Sequence, residues 1–227
     1  MTIKEQPDRF TSRRGFVLGT ASLLGLAVAG CTTASPDGEV DADSLRSYKS
    51  MYGPLPSEKF PIDAIDISKV PTKYRRKRVS YRTSEKPGTL VVDTSSHYLY
   101  LVEPNGKAMR YGVGLGKAGF EWSGRANVAW KRPWPTWTPP EEMIARRPEL
   151  KKYSAANGGM QPGLKNPLGA RALYIFQNGV DTLYRVHGTP EYWTIGKSVS
   201  SGCVRMINQD VIDLYKRVKP KAQIVVA

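Results

Sequence analysis

The stretch Thr89-Leu90-Val91-Val92-Asp93-Thr94-Ser95-Ser96-His97-Tyr98-Leu99-Tyr100-Leu101-Val102 decides the fold class. Thr89 to Val92 are aliphatic or β-branched, which suits a pleated, buried strand ending at Asp93. Asp93 to Ser96 has turn composition, and His97 to Val102 reads as the returning strand. Asn105-Gly106 is a hairpin signal, because both residues tolerate the positive φ of a tight turn, and Met109 to Val113 follows as a third strand. Downstream, Arg125–Lys131, Ala172–Phe176, Thr182–Val186 and Ile224–Val226 have strand character, with Gln177-Asn178-Gly179 turning one into the next. Pro139-Pro140-Glu141-Glu142 opens a short helix reaching about Arg147, with its acids at the positive end of the dipole. Asn208–Val218 is a second helix, with Asn208 as cap and Val211, Ile212, Leu214, Tyr215 and Val218 on one face. Residues 151–170 are rich in Gly, Asn and Pro and read as a long surface loop. The expected architecture is mainly β: a sandwich or partly open barrel with one or two short helices.

The 227 residues suffice for one sizeable domain with extensions. Ser12-Arg13-Arg14-Gly15-Phe16 precedes a weakly apolar run, Val17 to Gly30, too short to span a bilayer. Such a run after paired arginines resembles a twin-arginine export signal. Val28-Ala29-Gly30-Cys31 resembles a lipobox, which implies an acyl anchor on Cys31; the alternative is ordinary cleavage nearby with Cys31 unmodified. The expected organisation is a signal at 1–31, a linker and Pro-rich basic arm at 32–86, and the domain proper at 87–227. Within the arm, Ser44–Met51 can form a short helix, and the rest is an irregular segment on the domain surface. The formal charge of +14 favours anionic surroundings. Its densest run, Lys73-Tyr74-Arg75-Arg76-Lys77-Arg78, reads as a solvated edge rather than a nucleic-acid patch.

Two cysteines and two histidines narrow the chemistry. His97 lies in the strand pattern and reads as a packing residue. His187 ends a strand and is followed by Gly188-Thr189-Pro190, which places a titratable ring at an exposed strand end. Cys203 follows sixteen residues later, after Ser200, Ser201 and Gly202, and can return beside His187 if the flanking strands pair across a hairpin-like excursion. A thiolate beside an imidazolium is an activated nucleophile. Gly202 admits close substrate approach, and the N–H groups of Gly202 and Cys203 can receive an oxyanion. Arg205 shares the face of Cys203 in an extended chain and can lower the thiol pKa or hold a carboxylate. Gly114-x-Gly116 has no βαβ context, so a dinucleotide site is rejected. Too few ligands remain for zinc, and no metal or cofactor is expected. Trp134, Trp137, Tyr192 and Trp193 can line a groove or serve as half-buried packing residues.

His187-Gly188-Thr189, followed by Ser200-x-Gly202-Cys203-Val204-Arg205-Met206-x-Asn208-x-Asp210-Val211, resembles the signature of the YkuD-type L,D-transpeptidases. The resemblance extends upstream through Asn166-Pro167-Leu168-Gly169-Ala170-Arg171-Ala172-Leu173 to Pro87-Gly88. It implies a cysteine acyltransferase of the cell envelope that works on peptidoglycan stem peptides. Cys203 would take the acyl group of a tetrapeptide donor with loss of D-alanine, and a second stem amine would accept it in a 3→3 cross-link. His187 would be the base, oriented by the carbonyl of Gly188. Many members carry His where this chain has Ser201, so Ser200 and Ser201 join Gly202 and Arg205 as candidates for the substrate and oxyanion site. Carbapenems are implied covalent inhibitors. Water or a protein amine is the alternative acceptor, and a non-catalytic wall-binding lipoprotein is the alternative of a different class.

Overall fold

The computed structural model describes residues 42–116, 123–200 and 202–227. The export signal, the lipobox with Cys31 and the start of the linker therefore lie outside the described residues.

Among the described residues, eleven strands and three α-helices follow in chain order. They are α1 (Ala42–Met51), β1 (Lys77–Ser80), β2 (Leu90–Asp93), β3 (Tyr98–Glu103), β4 (Lys107–Gly112), β5 (Leu115–Gly116), β6 (Gly124–Pro133), α2 (Glu141–Arg146), β7 (Arg171–Gln177), β8 (Val180–Thr189), β9 (Ser198–Ser200), β10 (Val204–Ile207), α3 (Asn208–Arg217) and β11 (Gln223–Val226). Nine strands form one mixed sheet in the order β1-β4-β3-β2-β11-β6-β7-β8-β10, and β5 pairs with β9 separately. The meander β2-β3-β4 is antiparallel, with Asn105 and Gly106 at φ 60° and 64° in its hairpin.

The sheet curls around one core. Leu90, Leu99, Tyr111, Val128, Leu173, Val186, Met206 and Ile224 come from eight different strands and join a single buried cluster with Val211 and Leu214 of α3. Burying each aliphatic side chain stabilises the fold by about 1.5–3 kcal/mol. Curling brings the continuation of β4 back to the far edge, where Gly114 N–H donates to Arg205 O at 2.9 Å and Arg205 N–H to Gly114 O at 2.8 Å. The result is a mainly β, partly closed barrel with few helices, the architecture expected from the alternation of short strands and turns.

Several local expectations need correction. Asn208 does not cap α3; it is the first helical residue, and its Oδ1 accepts from Ala170 N–H at 3.0 Å instead. The basic run 73–78 is not simply solvated: Lys77–Ser80 is an edge strand on β4, Arg75 is buried, and Arg76 lies 3.1 Å from Asp213. The arm is likewise not irregular throughout, since Tyr52, Val70 and Tyr74 are buried in a second cluster. The 151–170 loop is pinned from within by Asn166, 1% exposed, whose Nδ2 faces the carbonyls of Pro135, Met160 and Gln161.

Candidate active site

The site is built by β8 and β10. The two strands run parallel, with Val204 opposite Val186 and Arg205 opposite His187. The return is thus a crossover rather than a hairpin. Val186, Val204 and Met206 point into the core. Side chains alternate along a strand, so Arg185, His187, Cys203 and Arg205 share the opposite face. The register sets Cys203, just ahead of β10, beside Arg185.

β8 is distorted where it meets the cysteine. Its register against β7 shifts between Tyr174 and Phe176. Thr182 Oγ1 donates to Ile175 O at 2.6 Å, and Asp181 Oδ1 accepts from Leu183 N–H at 2.9 Å. These local side-chain bonds hold Leu183 at φ 61°, a conformation costly for a branched residue away from such support. The bulge aims the Leu183 carbonyl at Cys203, 4.0 Å from Sγ. Gly202, at φ 119°, turns the chain over the Tyr184 ring, a backbone geometry that L side chains rarely adopt.

His187 is buried, and its Nδ1 lies 2.6 Å from Gly188 O. A carbonyl only accepts, so the proton sits on Nδ1 and Nε2 presents a lone pair. Gly188 has no room for a side chain, since a Cβ there would overlap Asn208. Burial pulls the His187 pKa down to about 4; the Gly188 bond opposes this, and Arg205 and Arg185 add to it. Burial also pushes the Cys203 thiol up, against a backbone bond from Arg185 and the charges of Arg185 and Arg205. The residue is half-buried. Burial thus disfavours the charged form of each residue, while the Arg185 and Arg205 charges favour the thiolate.

Arg185 is the residue that sequence reasoning missed. Its guanidinium forks onto Asp181 at 2.7 and 2.8 Å and lies 4.4 Å over the Tyr174 ring. Tyr174 in turn stacks on Trp130 at 3.5 Å. The available signal was its place two residues before His187, on the same strand face. Arg205 meets Glu191 at 3.1 Å, so part of its charge is already paired. His97 sits at φ 59° in the turn before β3, with Nε2 3.1 Å from Ser198 Oγ.

The aromatic candidates divide. Trp134 is buried, donates from Nε1 to Glu58 at 3.0 Å and packs on Phe60; it is a packing residue and not part of a groove. Trp193 is exposed beside Tyr192. Ser201 lies outside the described residues, as does the side chain of Ser200. Among the described residues, no cluster of His, Cys, Asp or Glu is arranged to hold a metal ion.

Residues 87–226 match the YkuD family, the L,D-transpeptidase catalytic domain. The chain belongs to the YkuD family. Among its relatives, the probable L,D-transpeptidase ErfK/SrfK of Escherichia coli K12 is 33% identical over 134 residues, covering 57% of this chain and 40% of that protein. The probable L,D-transpeptidase YbiS of the same strain is 36% identical over 114 residues, covering 47% and 33% respectively. The chain thus spans less than half the length of these YkuD relatives. A Brucella melitensis crystal structure described as a probable carnitine operon oxidoreductase is 47% identical, covering 68% of this chain and 94% of that one, with a TM-score of 0.49.

Proposed function

We propose that this YkuD-family chain is a peptidoglycan L,D-transpeptidase with Cys203 as nucleophile and His187 as general base. The observation that carries the proposal is the parallel register of β8 and β10, with the His187 tautomer held by Gly188. In this reading the proton moves during attack. Sγ adds to the carbonyl of the third stem residue while His187 Nε2 takes the thiol proton. The oxyanion is received by the N–H groups of Gly202 and Cys203. Collapse breaks the peptide bond, and D-alanine leaves with the proton from His187. The acceptor amine then attacks the thioester and passes its proton to His187, and the departing sulfur takes that proton back. A 3→3 cross-link results.

Arg185 and Arg205 assist by favouring negative charge on sulfur, and Arg205 can exchange Glu191 for a substrate carboxylate. The charge of +14 suits a polymer rich in carboxylates. Export by the twin-arginine signal and anchoring at Cys31 would hold residues 87–227 in the cell envelope. No described helix is long and apolar enough to cross a membrane. Incubation with disaccharide-tetrapeptide and mass analysis tests the proposal. A dimer lacking one D-alanine supports it, free tripeptide alone moves the reading to hydrolysis, and no product from an intact Cys203 rejects both.

A further inference from the structure

The stretch that joins His187 to Cys203 does not stand on the family domain alone. Residues 190–200 leave β8, pass through a turn at Tyr192–Thr194 and form β9, and Gly202-Cys203 lie just ahead of β10. One side of this connector is held by the barrel. Gly196 N–H donates to Val113 O at 2.9 Å, Leu115 N–H to Lys197 O at 2.9 Å, and β9 pairs with β5. The other side rests on the arm upstream of residue 87, where the family match begins. Ile195, 3% exposed, is buried among Tyr52, Val70, Tyr74 and Ile207. Tyr192 packs on the same cluster, and its hydroxyl accepts from Asp66 N–H at 3.3 Å. The Tyr74 ring lies so close under Gly196 that a Cβ there would overlap it. Gly196 sits at φ 83°, so the ring abuts a turn that has no side chain to adjust.

The arm is itself fastened to the body. β1 pairs with β4, and Gln209 Nε2 donates to Gly53 O at 3.2 Å and to Asp63 O at 3.1 Å. Arg171 reaches Glu58 at 2.6 Å. A packed brace therefore runs from the arm, through Tyr74 and Ile195, toward the segment that carries the cysteine.

We propose that the arm is part of the catalytic apparatus and that Tyr74 is a positioning residue, fixing the connector and hence the placement of Cys203 against His187. This rests on Cys203 being the nucleophile. The test uses the full chain with Tyr74→Ala and Tyr74→Phe. D-alanine release from disaccharide-tetrapeptide gives kcat and KM. The pH dependence of iodoacetamide alkylation at Cys203, read on its own peptide to separate it from Cys31, reports the thiol's surroundings. Folding is monitored by near-UV circular dichroism.

Displacing a reacting group by about 1 Å can cost on the order of a hundredfold. Folded Tyr74→Ala is accordingly expected to lose at least about tenfold in kcat with KM within about twofold, and to shift its alkylation profile. Tyr74→Phe, which keeps the ring, is expected to restore both. A folded Tyr74→Ala with unchanged kcat and unchanged profile would overturn the proposal, leaving only a packing role. If Tyr74→Ala does not fold, Tyr74→Leu keeps most of the apolar volume and is read in the same way. Alkylation needs no substrate, so it judges the brace even where wild-type chain releases no D-alanine; that second outcome would count against the functional reading alone.

Discussion

Asp210 gives a stability prediction whose size follows from its surroundings. Its carboxylate is wholly buried at the start of α3. Tyr52 Oη donates to it at 3.2 Å, and Arg76 Nε lies 3.7 Å away. These partners do not offset the loss of water, and burial raises the Asp210 pKa from 3.8 to about 7, with Asp213 adding to the rise. A raised carboxyl pKa means that the folded chain binds a proton more tightly than the unfolded chain. Folded stability must then fall as pH climbs from about 4 to about 7. Each pKa unit corresponds to about 1.4 kcal/mol, so between about pH 4.5 and pH 8 the Asp210 contribution falls by about 3 kcal/mol.

Asp210→Asn removes that dependence. His187 acts in the opposite sense, since its lowered pKa makes stability rise with pH between about 4 and 6.5. Its contribution cancels when variant and wild type are compared at each pH. Urea unfolding of both proteins across this range should show Asp210→Asn gaining about 3 kcal/mol on wild type from the acid to the alkaline end. The absolute offset at any one pH depends on how the new amide meets Arg76 and is not the quantity read. Curves that stay parallel within about 1 kcal/mol would refute the claim that the folded chain holds this carboxyl protonated near neutrality.

Further outcomes follow from the site. Burial raises the Cys203 pKa, so alkylation of Cys203 should keep rising through pH 9 rather than level off near neutrality; a plateau at pH 6–7 would show a preformed ion pair instead. Arg185→Gln removes a charge that favours the thiolate, so the alkylation profile should move to higher pH in the same assay; a move to lower pH would contradict this. Asn208→Ala strips the buried Ala170 N–H of its acceptor and should cost about 1–3 kcal/mol in urea unfolding.

What was legible in the sequence tracks what is local. The meander from Thr89 to Val113 alternates apolar residues around turn signals, and the α3 face repeats at helical spacing; both are written in neighbouring residues. β1 and β9 were not legible. Lys77-Arg78-Val79-Ser80 and Ser198-Val199-Ser200 are short and polar, and they are strands only because β4 and β5 lie alongside. The parallel sense of β8 and β10 was hidden for a similar reason, since sequence spacing does not record direction. Cys203 and His187 stood out by residue type at strand ends. Arg185 did not, because its importance arises from cross-strand register with Cys203 and Tyr174. The sequence left Trp134 open between groove and packing because its partners, Glu58 and Phe60, come from the arm, more than seventy residues upstream.

The central claim is that Cys203 carries the acyl group. The most direct measurement is intact mass of the protein after brief exposure to disaccharide-tetrapeptide, with the modified peptide located by fragmentation. The account predicts an adduct on Cys203 equal to the donor minus D-alanine, absent in Cys203→Ala, which also releases no D-alanine. Undiminished D-alanine release by Cys203→Ala, or an adduct on another residue, would contradict it.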